Sequence, residues 1–292
     1  PSDHIISIAL DDRINLELRN PDKLLAYLRQ QIIDNQLYYI LMDEIQMVDE
    51  FMDVLNSLLH IDNVDVYVTG SNSHFLSNDI VTEFRDRSDE IHMYPFSFSE
   101  YYEAVGGDRH EAWKDYYTYG GLPHLLTLVG DKKKSDYLNS VYRKTYLTDI
   151  KERHDIKEHE FNELTKMLSS SIGSSCNPNR LTNTFKSKIN VDLSYPTVVK
   201  YIGYLKDSFL IEEAERYDIK GRKYIGSLSK YYFCDVGVRN TILNFRQQEE
   251  NHIMENILYN ELRMRGYNVD VGMVETKTNI DGKTIRKQYE VD

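Results

Sequence analysis

The sequence predicts an α/β fold in which a parallel, helix-covered sheet is followed by a helical middle region and a second, partial α/β unit. Short apolar segments alternate with helical patterns over the first part of the chain, which favours parallel strands joined by crossover helices. The pattern becomes helical after "VGGD" (Val105–Asp108). Segments that alternate apolar and polar residues return near the end, which is typical of strands.

Periodicity distinguishes strands from helices in the first unit. Leu37–Met42 is a continuous apolar run, as expected of a strand that is covered on both faces. Pro21–Asp34 has helical spacing and begins with a proline, which suits a first helical turn. The other predicted elements are strands at Ile5–Asp12, Val64–Asn72 and Glu90–Phe96, and helices at Phe51–Ile61 and from Ser77 onward.

The middle region ends in a predicted helix–turn–helix pair, Leu181–Ile189 and Ser194–Ile211. A hairpin follows, with Gly221 at its tip, and two helices followed by a hairpin is the order of a winged-helix domain.

The tail begins with an amphipathic helix, Glu250–Tyr267, and continues as two alternating segments around Asp281-Gly282, a dipeptide typical of hairpins. Because the chain stops at Asp292 within the second of these segments, we expect the last domain to be truncated.

The composition limits the classes of function. With 35 basic and 47 acidic residues the net charge is −12, so any contact with nucleic acid needs a local basic patch. No apolar run approaches the ~20 residues needed to span a bilayer, and no signal peptide opens the chain. The two cysteines, Cys176 and Cys234, form no motif. These features predict a cytoplasmic protein without a membrane partner.

Two adjacent acids, Asp43 and Glu44, end the apolar segment "YYILM". In open α/β sheets ligands bind beyond the carboxyl ends of the strands, so this position predicts a Walker B arrangement. Asp43 would organise Mg²⁺ and Glu44 would activate water for phosphoryl transfer. The alternative is an acidic strand end that caps the next helix.

The next predicted strand ends in small polar residues, and among them Ser71 and Asn72 are candidates for sensing the γ-phosphate of ATP. A simple turn is the alternative interpretation. Downstream, Arg87 and, less favoured, Arg85 are candidate arginine fingers that would stabilise transition-state charge across an oligomer interface. Solvated surface pairs with neighbouring acids are the alternative.

The blocks "LMDEIQMVDEF", "DVYVTGSNSHFLSNDI", "EFRDRSDEIHMYPFSFSEYYE" and "YGGLP" together resemble prokaryotic AAA-type ATPases that carry a C-terminal domain of unknown function. The resemblance covers essentially the whole chain. It implies a P-loop NTPase-type core at 1–106, a helical lid-like region at 107–160, a winged-helix domain at 161–228 and a partial restriction-endonuclease-like domain at 229–292. It also implies ATP and Mg²⁺ as ligands.

The chain departs from this family in one respect, because no segment matches the Walker A pattern Gly-x-x-x-x-Gly-Lys-Ser/Thr. The nearest segment, "DGKT" (Asp281–Thr284), has Lys277 where the first glycine is required. We expect the loop to lie outside these 292 residues rather than to have been lost, because the Walker B acids are present.

The resemblance also implies candidate residues in the tail. In a nuclease-like fold, Glu255 and Asp292 would hold Mg²⁺ for phosphodiester cleavage. The lysine-bearing strand of such a site is not part of the sequence, so a structural remnant is the favoured interpretation.

The winged-helix region offers candidate DNA contacts, a helix with Lys200 and Lys206 and a hairpin with Arg222 and Lys223. Lys220 and Arg216 add to this basic surface. The alternative is domain packing with solvated charges. Three functions therefore compete: an ATPase switch, a DNA-acting protein, and a non-catalytic interaction scaffold with an unidentified protein partner.

Overall fold

The computed structural model describes residues 4–70, 87–189, 193–224, 228–247, 249–280 and 283–291. The chain is a mixed α/β protein that divides into two compact units, Pro1–Ile91 and His92–Asp292. The helix predicted from Ser77 lies outside the described residues.

The first unit contains a three-stranded parallel sheet in the order β1-β2-β3. Its elements are β1 (Ile5–Ala9), a 3-10 segment (Arg13–Arg19), α1 (Pro21–Gln31), β2 (Tyr38–Asp43), a 3-10 turn (Ile45–Met47), α2 (Phe51–Leu58) and β3 (Val64–Val68). Asn20 caps α1 by accepting a hydrogen bond from the Lys23 amide, and Pro21 occupies the first turn, as predicted.

The sheet of the first unit buries one face. Alternate side chains of β2 are buried, whereas Tyr39 and Leu41 are 38% and 39% exposed. The expectation that β2 is covered on both faces is therefore wrong for the described residues. The reason is that α1 and α2 pack in the same hydrophobic core, through side chains such as Leu28 and Val54, together with the buried face of the sheet.

The second unit begins without the strand predicted at Glu90–Phe96, since residues 88–97 have no regular secondary structure. Pro95 lacks an amide donor, and the Phe96 amide donates to the Gly121 carbonyl at 2.8 Å, in a loop rather than in a sheet ladder. The helices that follow are α3 (Phe98–Val105), α4 (Arg109–Tyr119), α5 (Asp131–Ser140), α6 (Thr148–Arg153) and α7 (Glu158–Ser170).

Further helices share a large core with these. They are α8 (Pro178–Thr184), α9 (Tyr195–Asp207), α10 (Val236–Ile242) and α11 (Glu250–Met264). The predicted pair of helices at α8 and α9 is confirmed, and so is the tail helix that stops near Gly266, whose φ is +81°.

Two sheets complete the second unit. The strands are β4 (Ile211–Ala214), β5 (Arg216–Asp218), β6 (Lys223–Tyr224), β7 (Lys230–Phe233), β8 (Val271–Ile280) and β9 (Lys283–Val291). β4 pairs with β7, and the other sheet has the order β6-β5-β8-β9. The predicted hairpins at Gly221 and between β8 and β9 are both confirmed as antiparallel pairs. The hairpin β5–β6 is joined to the tail because β5 pairs with β8 in parallel.

Candidate functional site

Asp43 lies at the carboxyl edge of the parallel sheet, where the ends of β1, β2 and β3 meet. On β1, Ala9 is the register partner of Asp43, and the Leu10 amide donates a hydrogen bond to the Asp43 carbonyl at 3.1 Å. On the other side, the Thr69 amide donates to the Met42 carbonyl at 3.0 Å. This edge is where ligands bind in open α/β sheets.

Thr69, the residue after β3, connects the two strand ends through its side chain. Its hydroxyl donates a hydrogen bond to Oδ1 of Asp43 and accepts one from the Glu44 amide at 3.2 Å. Its carbonyl accepts a further bond from the Ile45 amide at 3.1 Å. These bonds hold the Asp43 carboxylate and fix the backbone that follows it.

Glu44 has a left-handed backbone conformation, with φ 56° and ψ 49°. Few residues other than glycine adopt this conformation, and its cost must be offset by surrounding contacts. Here the contacts with Thr69 supply them. The Glu44 carboxylate is half-buried, and its Oε2 accepts a hydrogen bond from the Gln46 side-chain amide.

The donor atoms at this edge fit Mg²⁺. Asp43 provides an exposed carboxylate and Thr69 a hydroxyl, and Mg²⁺ prefers oxygen ligands supplied by one or two carboxylates together with water and substrate phosphates. Within the described residues there is no group of three or more His, Cys, Asp or Glu side chains arranged to hold a metal ion.

Of the other residues predicted for the nucleotide site, the structure describes only some. Ser71, Asn72 and Arg85 lie outside the described residues, and Arg87 is exposed. The structure therefore brings together Asp43 and Glu44 and adds two residues that sequence reasoning did not select, Thr69 and Gln46. The position of Thr69 as the first polar residue after β3 could have indicated its contact with Asp43. No sequence feature indicated the contact of Gln46 with Glu44, because that contact depends on the conformation of the turn.

The tail candidate Glu255 lies on α11 and is already engaged. Its Oε1 accepts hydrogen bonds from the Lys230 ammonium and the Tyr232 hydroxyl, both at 2.7 Å. Lys230 is 1% exposed and also contacts Oε1 of Glu290 at 2.5 Å. Asp292 lies outside the described residues. A buried cation between two carboxylates stabilises their charges without a metal.

The candidate DNA-binding residues differ in their exposure and in whether other side chains already contact them. Lys206 pairs with Glu213 at 2.6 Å, and the Lys200 ammonium lies 5.6 Å from the centroid of the Tyr204 ring. Arg216, expected to belong to the basic surface, is 6% exposed and donates to Sδ of Met273. That expectation is wrong, because the pairing of β5 with β8 encloses the Arg216 side chain.

The hairpin turn carries the exposed basic residues. Lys220, Arg222 and Lys223 are all exposed there. Oδ1 of Asp218 shapes the turn by accepting hydrogen bonds from the amides of Lys220 at 3.1 Å and Gly221 at 2.9 Å.

Two family models match separate parts of the chain. Residues 1–102 match a family model described as an AAA domain. This match supports an AAA-type P-loop family. Residues 110–249 match a model described as a domain of unknown function, DUF8612. The Asp43 edge thus lies within the AAA domain match, and α9 lies within the domain of unknown function.

Two curated relatives are similar over most of the chain. An uncharacterized protein of Haemophilus influenzae is 32% identical over 260 residues, which cover 85% of this chain and 64% of that protein. An uncharacterized protein of Methanocaldococcus jannaschii is 26% identical over 307 residues, covering 99% of this chain and 65% of that protein. The chain therefore spans just under two thirds of the length of these relatives.

Among solved structures, the Orc1 protein of Aeropyrum pernix in complex with DNA aligns with 86% of this chain and 79% of its own, at 11% identity and a TM-score of 0.36. That TM-score is too low to support a conclusion about this chain. In the part of the chain that the structure describes, no helix combines the length and apolarity needed to cross a membrane.

Proposed function

We propose that the protein is a Mg²⁺-dependent ATPase that acts as a nucleotide-driven switch in the cytoplasm. The observation that carries the proposal is the Asp43 edge: two acids end the central strand, and Thr69 from the neighbouring strand holds the first of them. The AAA domain match over residues 1–102 supports the same function. Nucleotide state would bias the arrangement of the regions that follow the AAA domain.

Each residue at this edge has a distinct proposed role. Asp43 would hold Mg²⁺, whose charge would offset that of the transferring phosphoryl group. Thr69 orients the Asp43 carboxylate through its hydroxyl. Glu44 would accept a proton from the attacking water, since its carboxylate lies beside the Asp43 edge on a backbone that Thr69 fixes.

The remaining predicted residues complete the proposal. Ser71 or Asn72 would contact the γ-phosphate, and Arg87 or Arg85 would stabilise transition-state charge. An arginine that acts on the nucleotide of a neighbouring subunit would require a homo-oligomer, so a second copy of this chain is a proposed partner.

The variant Glu44→Gln tests this function in the full-length protein. We expect steady-state ATP hydrolysis to fall by about 100-fold or more, because the amide cannot accept the proton, while ATP affinity stays within about 3-fold of wild type. Hydrolysis and equilibrium nucleotide binding are measured side by side.

Glu50→Gln is the matched control, because Glu50 is exposed and has a similar left-handed backbone, with φ 51°. It should hydrolyse ATP like wild type. Wild-type turnover by Glu44→Gln would contradict the assignment and favour the non-catalytic scaffold.

A second candidate function, binding of duplex DNA, is favoured by the exposed basic hairpin turn with Lys220, Arg222 and Lys223. In a winged-helix arrangement this turn would contact the phosphate backbone, with α9 as the recognition helix. Lys206 is less available because Glu213 neutralises it. The hydrogen bond from Lys230 to Glu255 favours a structural role for the tail. A nuclease site, in which Glu255 and Asp292 would be the metal ligands, is the less favoured alternative.

A further inference from the structure

Gln46 lies two residues beyond Glu44, within the 3-10 turn Ile45–Met47. Its side-chain nitrogen Nε2 donates a hydrogen bond to Oε2 of Glu44. The amide of Met47 donates to the Glu44 carbonyl at 2.9 Å, which closes the turn and places the two side chains side by side. Gln46 therefore contacts the Glu44 carboxylate, whereas Thr69 contacts the Glu44 backbone amide.

The two polar atoms of the Gln46 side chain differ in their hydrogen bonding. Its amide oxygen Oε1 is buried and has no hydrogen-bond donor among the described residues. A buried acceptor without a partner lowers the stability of the folded state, and an apolar side chain of similar length avoids that loss. Among the described residues, the hydrogen bond of the Gln46 side chain is made to the Glu44 carboxylate.

We propose that Gln46 is a positioning residue for Glu44. Thr69 fixes the backbone of Glu44 in its left-handed conformation, and Gln46 fixes the direction of the carboxylate. This inference rests on the proposed role of Glu44 as the group that activates water. A general base displaced by about 1 Å can lose on the order of 100-fold in rate, so a group that sets its direction controls turnover without touching the nucleotide.

The variant Gln46→Met tests the inference in the full-length protein. Methionine keeps the length of the side chain and removes both polar atoms. We expect kcat for ATP hydrolysis to fall by about 10-fold to 100-fold while KM and nucleotide affinity stay within about 3-fold of wild type. The melting temperature should be unchanged or higher, because the unpaired acceptor is gone.

Two further variants isolate the contact. Gln46→Asn keeps the amide but withdraws it from Glu44 by one methylene, and it should lose turnover as Gln46→Met does. Gln30→Met changes an exposed glutamine on α1 and should behave like wild type in every measurement.

A thermal cycle gives a readout that does not depend on ATP hydrolysis. If the two side chains touch, the melting shifts of Gln46→Met and Glu44→Ala do not add, and the double variant differs from their sum by about 1 °C or more. Alanine is used here because a glutamine at position 44 would keep an oxygen that accepts the same hydrogen bond from Gln46. Additive shifts would overturn the contact. Wild-type kcat in Gln46→Met, with Glu44→Gln inactive, would overturn the positioning role and leave the proposed function intact. Wild-type kcat in Glu44→Gln would instead overturn the proposed function.

Discussion

Asp235 connects a glycine loop with the start of helix α10 in the second unit. Its Oδ2 accepts a hydrogen bond from the Gly121 amide at 2.8 Å, and its Oδ1 accepts one from the Val238 amide at 2.9 Å. The residue is 6% exposed. Burial raises the pKa of its carboxyl from 3.8 to about 6, although the backbone amides oppose the shift. The same group thus caps a helix and makes the stability of the fold sensitive to pH.

The raised pKa of Asp235 predicts a loss of stability as the pH rises. Between 3.8 and about 6 the folded state binds the proton more tightly than the unfolded chain, so the stabilisation by this group is complete below 3.8 and lost above about 6. The loss amounts to about 3 kcal/mol. Urea unfolding at about pH 4.5 and about pH 7.5 should show about 2 kcal/mol of this loss, as a free-energy advantage of wild type over Asp235→Asn that shrinks at the higher pH.

An exposed acid on the same unit provides the control for this pH dependence. Asp136→Asn removes one charge at an exposed position of α5 and should leave the wild-type pH profile intact. Parallel profiles of wild type and Asp235→Asn would show that the buried carboxyl does not govern the change.

At the carboxyl edge of the parallel sheet, around Asp43, single residues differed in how well the sequence predicted their positions. The position of Asp43 and Glu44 at the end of β2 was predictable because two acids directly follow an apolar segment, while their catalytic roles stay predictions. Thr69 was passed over for Ser71 and Asn72, since register alone decides which residue after β3 faces Asp43. Gln46 was not predictable at all, because its contact depends on the left-handed backbone of Glu44.

At the scale of elements, local signals predicted local structure. The caps and periodicity of α1 and α11 and the glycine turn between β5 and β6 are properties of short segments, and the structure confirms all three elements. The pairing of β5 with β8 joins Tyr217 to Gly272, and no local signal in either strand specifies that partner. The strand predicted at Glu90–Phe96 does not form, because a strand also needs a neighbouring strand to pair with, and the local sequence does not specify one.

Helix α10 offers a test of close packing through its glycine. A Cβ at Gly237 would lie 1.8 Å from the Tyr119 carbonyl oxygen, which belongs to the backbone and cannot move without displacing α4. Gly237→Ala should therefore lower the free energy of unfolding by about 2 kcal/mol or more. Differential scanning calorimetry or urea unfolding measures the change.

Gly203 is the matched control, since it also lies within a helix, α9, but a Cβ there meets nothing within 4 Å. Gly203→Ala should raise stability by about 0.5–1 kcal/mol, because alanine loses less backbone entropy on folding. Changes of equal sign in the two variants would show that the contact with Tyr119 does not restrict position 237.

At the scale of the whole molecule, net charge and local charge oppose each other. A net charge of −12 repels a DNA duplex at long range. The exposed residues Arg222 and Lys223 offer a local contact whose strength must come from neutralising phosphates at short range. Duplex binding by this protein should therefore depend steeply on salt and be confined to a small surface.

The double variant Arg222→Ala/Lys223→Ala tests this balance. We expect duplex affinity at low salt to fall by about 10-fold or more and the slope of log K against log salt to decrease in magnitude by about 2, one for each lost phosphate contact. Fluorescence anisotropy with a labelled duplex, titrated at several salt concentrations, measures both quantities. Lys132→Ala/Lys133→Ala removes the same charge from exposed positions of α5 and should change affinity only through the net charge. An equal loss in both double variants would mean that the hairpin makes no specific contact, because the acidic field of the protein would then account for the whole effect.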